Sequence, residues 1–483
     1  MNAPLRKLSI VVLVMFFALM GGVTWVQYGQ AGALNDDPRN TRTVYREYGR
    51  DRGPIVVAGQ EIASSTPVDS PFGFQRTYAD GPLYAHATGY FSIFQMTGLE
   101  RATNGVLSGT DDSLLWSRIR ALFTGSQQQG GSVELTLDPA AQQAAWDALG
   151  DQDGAVVALD PATGAILAMV SKPSFDPNTL ASHSTDEVNE VYRNLQDDDG
   201  NPLSNRAIAG GQYAPGSVFK LIDVAMLLES GEYEPDSQVP APQQLELPQT
   251  SHVIHNPGQG PCGDSDTVTL EYALQVSCNT PFGTLAMEFG ADALREQAEA
   301  FGFGTELDIP LQVTPSRFPA DPDEAQTAMT SIGQHDVRVT PLQMAMVSAA
   351  VANDGVIMTP HLVATERGPT LQVTGTTEPS EFAEPISAST AAQMTDMMIT
   401  VVEDGTGTPA QIPGVDVAGK TGTAESGGDA PQHAWFTSFA PAQDPQVAVA
   451  VVVEHGGAQG DQASGATAAA PIARAVIEAV MAE

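Results

Sequence analysis

Lysine is scarce in this chain: 483 residues contain four, Lys7, Lys172, Lys220 and Lys420, and every other fixed cation is arginine. An ammonium can lose its proton at accessible pH and a guanidinium cannot, so the remaining lysines are expected where the two are not interchangeable. Basic charge as a whole is scarce, 21 residues against 58 acidic ones for a formal net charge of −37. That balance excludes a nucleic-acid partner, whose phosphates need a basic surface, and argues against broad docking onto anionic lipid. The acidity itself reads as solubility, high-salt adaptation or genome composition. Cysteine is limited to Cys262 and Cys278, too few for a metal cluster. No His-x-x-x-His or Cys-x-x-Cys pairing occurs, and His252 and His255 read as loop or strand residues rather than ligands. No metal and no cofactor are expected.

Charge is also absent from the run Leu8 to Tyr28, which is about long enough to cross a bilayer core and follows Arg6 and Lys7. The positive-inside rule then predicts residues 1–28 as a short cytoplasmic tail and single membrane anchor, with the rest of the chain extracytoplasmic. A cleaved signal peptide is the alternative. Its apolar region would be shorter, and the nearest small-residue site is Gln30-Ala31-Gly32-Ala33. Outside the cytoplasm Cys262 and Cys278 are free to pair, closing a loop of about 15 residues with a constraint of about 3 kcal/mol. Two buried thiols are the other reading.

The length accommodates two or more domains. Residues 29–131 read as a smaller non-catalytic module: a polar stretch Asn35 to Arg52, a short strand and turn in Arg52-Gly53-Pro54-Ile55-Val56-Val57-Ala58-Gly59, a helix from Asp112 to Phe123, and a Gly/Gln linker at 125–131. From 132 to 483 a second domain is predicted. It opens with a strand over 133–137 and a helix to Leu149, capped by Asp138 with Pro139 at its first position. A β-hairpin follows over 154–170 around Asp160-Pro161-Ala162-Thr163-Gly164, then a polar loop, Ser182 to Asn205. Thr340-Pro341-Leu342-Gln343 has capping-box form before a buried helix, Gln446 to Val453 is a β-branched run fit for a central strand, and Pro471 to Ala482 is a closing helix. Strands at both ends with helices between them predict an α+β domain whose sheet is assembled from distant segments.

The chemistry centres on Tyr213-Ala214-Pro215-Gly216-Ser217-Val218-Phe219-Lys220, a Pro-Gly turn entering an apolar helix pattern. Residues three apart on a helix share a face, so Lys220 can reach the Ser217 hydroxyl as its base. Two companions follow: Ser277-Cys278-Asn279 at the end of an apolar stretch, and Lys420-Thr421-Gly422-Thr423. With four lysines available, this ordered combination is rare by chance, and the three motifs form the signature of serine acyl-transfer enzymes that react with β-lactams.

On these motifs the chain resembles the class B penicillin-binding proteins, above all their short single-span kind, the penicillin-binding protein A type. Arg52-Gly53-Pro54-Ile55, the stretch 169–178 and His433-Ala434-Trp435-Phe436 support the likeness, which spans nearly the whole sequence. It implies the penicillin-binding transpeptidase fold: a central antiparallel sheet with helices on both faces, a smaller N-terminal module of pedestal or dimerisation kind, and one membrane-spanning helix. It further implies that Ser217 attacks the penultimate D-Ala carbonyl of a peptidoglycan stem peptide, releasing terminal D-Ala, and that an amine from a neighbouring stem takes the acyl group. Penicillin would acylate the same serine. Lys220 would act as a neutral amine, its basicity depressed by burial, the positive helix end and Lys420. Ser277 would shuttle the proton to the leaving amine, and Asn279 would hold Lys220 and the substrate amide. Lys420, Thr421 and Thr423 would bind the substrate carboxylate, Gly422 would admit close approach, and the Ser217 and Thr423 N–H groups would form the oxyanion hole. Trp435 and Phe436 are expected to pack the sheet. Alternatives sharing these motifs are a D,D-carboxypeptidase, and a scaffold of division or elongation proteins in which the chemistry is secondary.

Overall fold

The computed structural model describes residues 2–30, 48–111, 129–210, 212–425 and 430–482. The helix expected over 112–123 lies outside them, as does most of the polar stretch after the anchor. One helix among the described residues, Pro4–Gly29, is long and apolar enough to cross a membrane.

The larger sheet has five antiparallel strands in the order Ala418–Ala424, His433–Ala440, Val447–Val453, Gly154–Leu159, Ile166–Lys172. The predicted hairpin supplies its last two strands and the β-branched run its centre. Strand side chains alternate between faces, and here both faces are covered. Val447, Val449, Val451 and Val453 join a core with the helices Pro139–Leu149 and Ala470–Met481. Ala448, Ala450 and Val452 join the core of the opposite face, with the helices Lys220–Glu229, Pro341–Ala352 and Ala388–Glu403. Trp435 is fully buried and donates its indole N–H to the Ala214 carbonyl. Asp138 caps its helix by accepting from the Ala141 N–H, as expected.

A second sheet of six strands differs from the sequence reading. Its order is Val373–Thr376, Val363–Arg367, Ser132–Leu135, Ile55–Val57, Gln60–Pro67, Phe74–Tyr78. The strand expected to open the second domain therefore pairs with the N-terminal module, parallel to Ile55–Val57 and antiparallel to Val363–Arg367. Partners more than two hundred residues apart leave no local pattern to read. Within the module's apolar interior lies an ionic cluster: Glu100 is fully buried and accepts from Arg52 Nε at 2.5 Å and Arg76 Nε at 2.7 Å. This explains the Arg52-Gly53 stretch, since Gly53 lies so close to Gly131 that a Cβ would sit 1.7 Å from its carbonyl oxygen.

Two further expectations change. The polar segment Ser182 to Asn205 holds a helix, Thr185–Gln196, capped by Ser184, whose Val188, Val191, Tyr192 and Leu195 pack against Ala85, Tyr90, Phe175 and Leu180. Ser217 lies in a 3-10 turn, Gly216–Phe219, and the α-helix begins at Lys220. The tighter turn still places residues three apart on one side.

Candidate active site

The serine turn is clamped by backbone. Tyr213 and Val339 exchange N–H to carbonyl bonds of 3.0 and 2.8 Å, and Gly216 N–H donates to Gly333 O at 3.0 Å. Gly216 has φ +55°, and a Cβ there would lie 2.4 Å from Thr423 O. A Cβ on Gly422 would lie 2.9 Å from Pro215 O. The turn and the edge strand Ala418–Ala424 therefore touch main chain to main chain, a contact only glycine permits.

The second wall is the segment Ser277-Cys278-Asn279, after the helix Leu270–Gln275. Ser277 takes a left-handed conformation, φ +62°. Cys278 is bonded to Cys262 in a disulfide, which resolves the two readings of the cysteines. The buried Asn256 accepts through Oδ1 from Asn279 N–H at 2.9 Å and Thr280 N–H at 3.0 Å, at the start of the helix Thr280–Ala300. Asn279 Nδ2 donates to His255 O at 2.7 Å.

Both motif lysines are fully buried behind these walls. Lys220 Nζ donates to Asn279 Oδ1 at 2.7 Å and Ser277 O at 2.9 Å, with Ser277 Oγ at 3.5 Å. Burial, reinforced by Lys420, pushes its ammonium well below the ordinary lysine range. Lys420 Nζ donates to Ser277 Oγ at 2.8 Å and Thr421 O at 3.0 Å, and burial lowers it to about 7. Ser217, Ser277, Asn279, Thr421, Gly422 and Thr423 line one cleft of about 670 Å³.

The structure thus brings all eight predicted residues to one place, six around the cleft and two beneath it. Lys420 and Gly422 share one face of their strand, and the Lys420 ammonium is engaged by Ser277 Oγ. Thr421 and Thr423, on the other strand face, border the cleft, and Thr421 Oγ1 and Thr406 Oγ1 are hydrogen-bonded at 2.6 Å.

Residues 154–478 match the penicillin-binding protein transpeptidase domain and residues 52–133 the penicillin-binding protein A dimerisation domain. The chain belongs to the penicillin-binding proteins.

The peptidoglycan D,D-transpeptidase PbpA of Mycolicibacterium smegmatis is 44% identical over 493 residues, covering 100% of both chains. The protein of that name from Mycobacterium tuberculosis is 44% identical over 491 residues, covering 100% of this chain and 99% of the relative. Among solved structures, M. tuberculosis penicillin-binding protein A as a ceftriaxone acyl-enzyme superposes with a TM-score of 0.87 at 44% identity, covering 90% of this chain and 100% of that one. Its penicillin G acyl-enzyme gives 0.85 at 44% identity, over 89% and 100%.

Sequence reasoning missed several residues of this penicillin-binding protein's cleft. His252 and His255, set aside as ordinary loop or strand histidines, line it, as do Thr406 and Gly465. None carries a spacing signal; the short strand Val253–His255 and the approach of Gly465 to Trp435 O bring them there. Among the described residues no group of three or more His, Cys, Asp or Glu is placed to hold a metal.

Proposed function

We propose that this penicillin-binding protein is a peptidoglycan D,D-transpeptidase whose acyl-enzyme forms on Ser217. The observation that carries the reading is the desolvated amine of Lys220, fixed by Asn279 and Ser277 beside the cleft that Ser217 borders. A neutral amine is the form that accepts a proton. Ser217 Oγ bonds to the penultimate D-Ala carbonyl carbon as its proton passes to Lys220 Nζ. The carbonyl oxygen takes the negative charge, met by the N–H groups of Ser217 and Thr423. On collapse the C–N bond breaks, and the departing D-Ala amine takes a proton from the Ser277 hydroxyl, which Lys220 reprotonates across 3.5 Å while Lys420 holds it. An amine of a neighbouring stem then attacks the acyl carbon and gives a proton to Lys220, which passes it to Ser217 Oγ as the ester C–O bond breaks. Asn279, Thr421, Gly422 and Thr423 bind the substrate along the cleft, and Lys420 acts through Ser277. β-Lactams follow the first half of this path, as the names of the M. tuberculosis acyl-enzymes support.

The same reading assigns residues 1–28 to a short cytoplasmic tail and anchor, 29–131 to a pedestal module, and 132–483 to the catalytic domain outside the membrane. The pedestal is the surface offered to division or elongation proteins. Product analysis with a stem pentapeptide and an amine acceptor tests the function: cross-linked dimer and free D-Ala are expected. D-Ala release without dimer would make the protein a carboxypeptidase.

A further inference from the structure

Glu454 directly follows the central strand Val447–Val453, and its N–H donates at 2.8 Å to Asp153 O, just before the strand Gly154–Leu159. The carboxylate is 14% exposed, and one of its oxygens, Oε1, accepts from both Arg206 Nε, at 2.8 Å, and the Tyr213 hydroxyl. The rest of the Arg206 fork donates to main chain, to Gly200 O at 2.7 Å and Asn201 O at 3.3 Å. The Tyr213 ring meets His433 and Trp435 edge to face, with centroids 5.4 and 5.9 Å away. His433 is fixed in turn: its Nδ1 accepts from His455 N–H at 3.2 Å, and burial lowers it to about 4, so the ring is neutral. An ion pair this far from water is weak evidence for stability, because an apolar pair of similar volume often stabilises as well or better. What these contacts fix is the place of Tyr213.

Tyr213 opens the segment that carries Ser217. Its main chain pairs with Val339, the Ala214 carbonyl accepts the Trp435 indole N–H, and Gly216 N–H donates to Gly333 O. Held at these successive points, residues 213–217 move together, so a shift at Tyr213 reaches the serine. We propose that Glu454 is a positioning residue for acyl transfer, acting through Tyr213: its carboxylate ties the phenol, and with it the entry to the serine turn, to the end of the central strand. Ser217 Oγ is thereby held where a bound carbonyl carbon can be reached. This rests on the reading of Ser217 as the nucleophile. Arg206 orients the carboxylate and balances its charge. Burial, with Glu454 beside it, pushes the Tyr213 hydroxyl well above its ordinary range, so it stays a donor. No proton passes through the cluster, and its contribution is geometric. Misplacing a reacting group by about 1 Å can cost about 10²-fold in rate, so losing one tether of several is expected to cost about tenfold.

The test is the reaction of the full chain with a fluorescent penicillin over a range of concentrations, well below the melting temperature of each variant. Such data separate the affinity of the first complex from the rate constant of acylation within it. Tyr213→Phe removes the hydroxyl and keeps the ring. It is expected to lower the acylation rate constant about tenfold and to leave the affinity unchanged. Glu454→Leu should lose the same factor, and the double variant no more than either alone, because both changes remove one bond. Glu454→Gln keeps an acceptor for the hydroxyl and should recover most of the wild-type rate constant. Should the Leu variant fail to fold, the Phe and Gln variants decide the matter. A folded Tyr213→Phe variant with an unchanged rate constant would overturn the proposal, as would a loss confined to affinity or losses that multiply in the double variant. A wild-type protein that penicillin does not acylate at Ser217 would instead refute the nucleophile assignment on which the proposal rests.

Discussion

Lys420 Nζ donates a 2.8 Å hydrogen bond to Ser277 Oγ, and through it the third motif is wired to the second. Lys420 is fully buried and lowered by that burial to about 7, against about 10.4 in an unfolded chain. Between these values the unfolded state holds one more proton than the folded state, so stability rises with pH across the window. The integrated effect is on the order of 4 to 5 kcal/mol. Lys420→Met should therefore melt higher than wild type at pH 7, with the gap closing by pH 10. A gap independent of pH would contradict the assignment.

Glu100 holds the N-terminal module together. Burial alone would raise its carboxyl, but Arg76 and Arg52 outweigh burial and hold it below the usual range. Glu100→Gln leaves two buried guanidinium groups without a counter-charge and should cost about 3 to 5 kcal/mol at pH 7. A depressed carboxyl contributes stability above its unfolded value near 4.3 that is lost as pH falls through the folded value. The difference between variant and wild type should shrink in that acid range, measured by denaturant unfolding followed at the module.

Much of this architecture was legible in the chain, for particular reasons. The hairpin at 154–170 and the strand Val447–Val453 announce themselves because both faces of the large sheet are buried, so runs of valine and alanine have one physical solution. The three motifs were legible because lysine is scarce. That same argument says nothing of Lys172, whose ammonium binds the Trp146 carbonyl at 2.8 Å and the Gly150 carbonyl at the end of the helix Pro139–Leu149 and lies 3.9 Å from the Trp146 ring centroid. Its role is structural. The placement of Ser132–Leu135 and the histidines of the cleft were not legible, since long-range pairing decides both.

The disulfide fastens Cys278, between Ser277 and Asn279, to Cys262 across a sequence separation of 16. Removing it should release roughly 3 kcal/mol of loop constraint and loosen the left-handed Ser277 backbone. Cys262→Ser should lower the melting temperature and slow penicillin acylation severalfold while leaving Ser217 the labelled residue. An unchanged acylation rate would show that Asn256 and the helix start at Thr280 hold the segment unaided.

The central claim is that Ser217 is the nucleophile and Lys220 its base. Its most direct measurement is the intact mass of the full-length protein after incubation with penicillin G, for wild type, Ser217→Ala and Lys220→Ala. Wild type should gain one penicilloyl group, with the modified peptide containing Ser217. The Ser217 variant should gain none, and the Lys220 variant should be acylated slower by a factor on the order of 10² to 10⁴, the usual contribution of a general base. A penicilloyl adduct retained in the Ser217→Ala variant, or mapped to another residue in the wild type, would contradict the account.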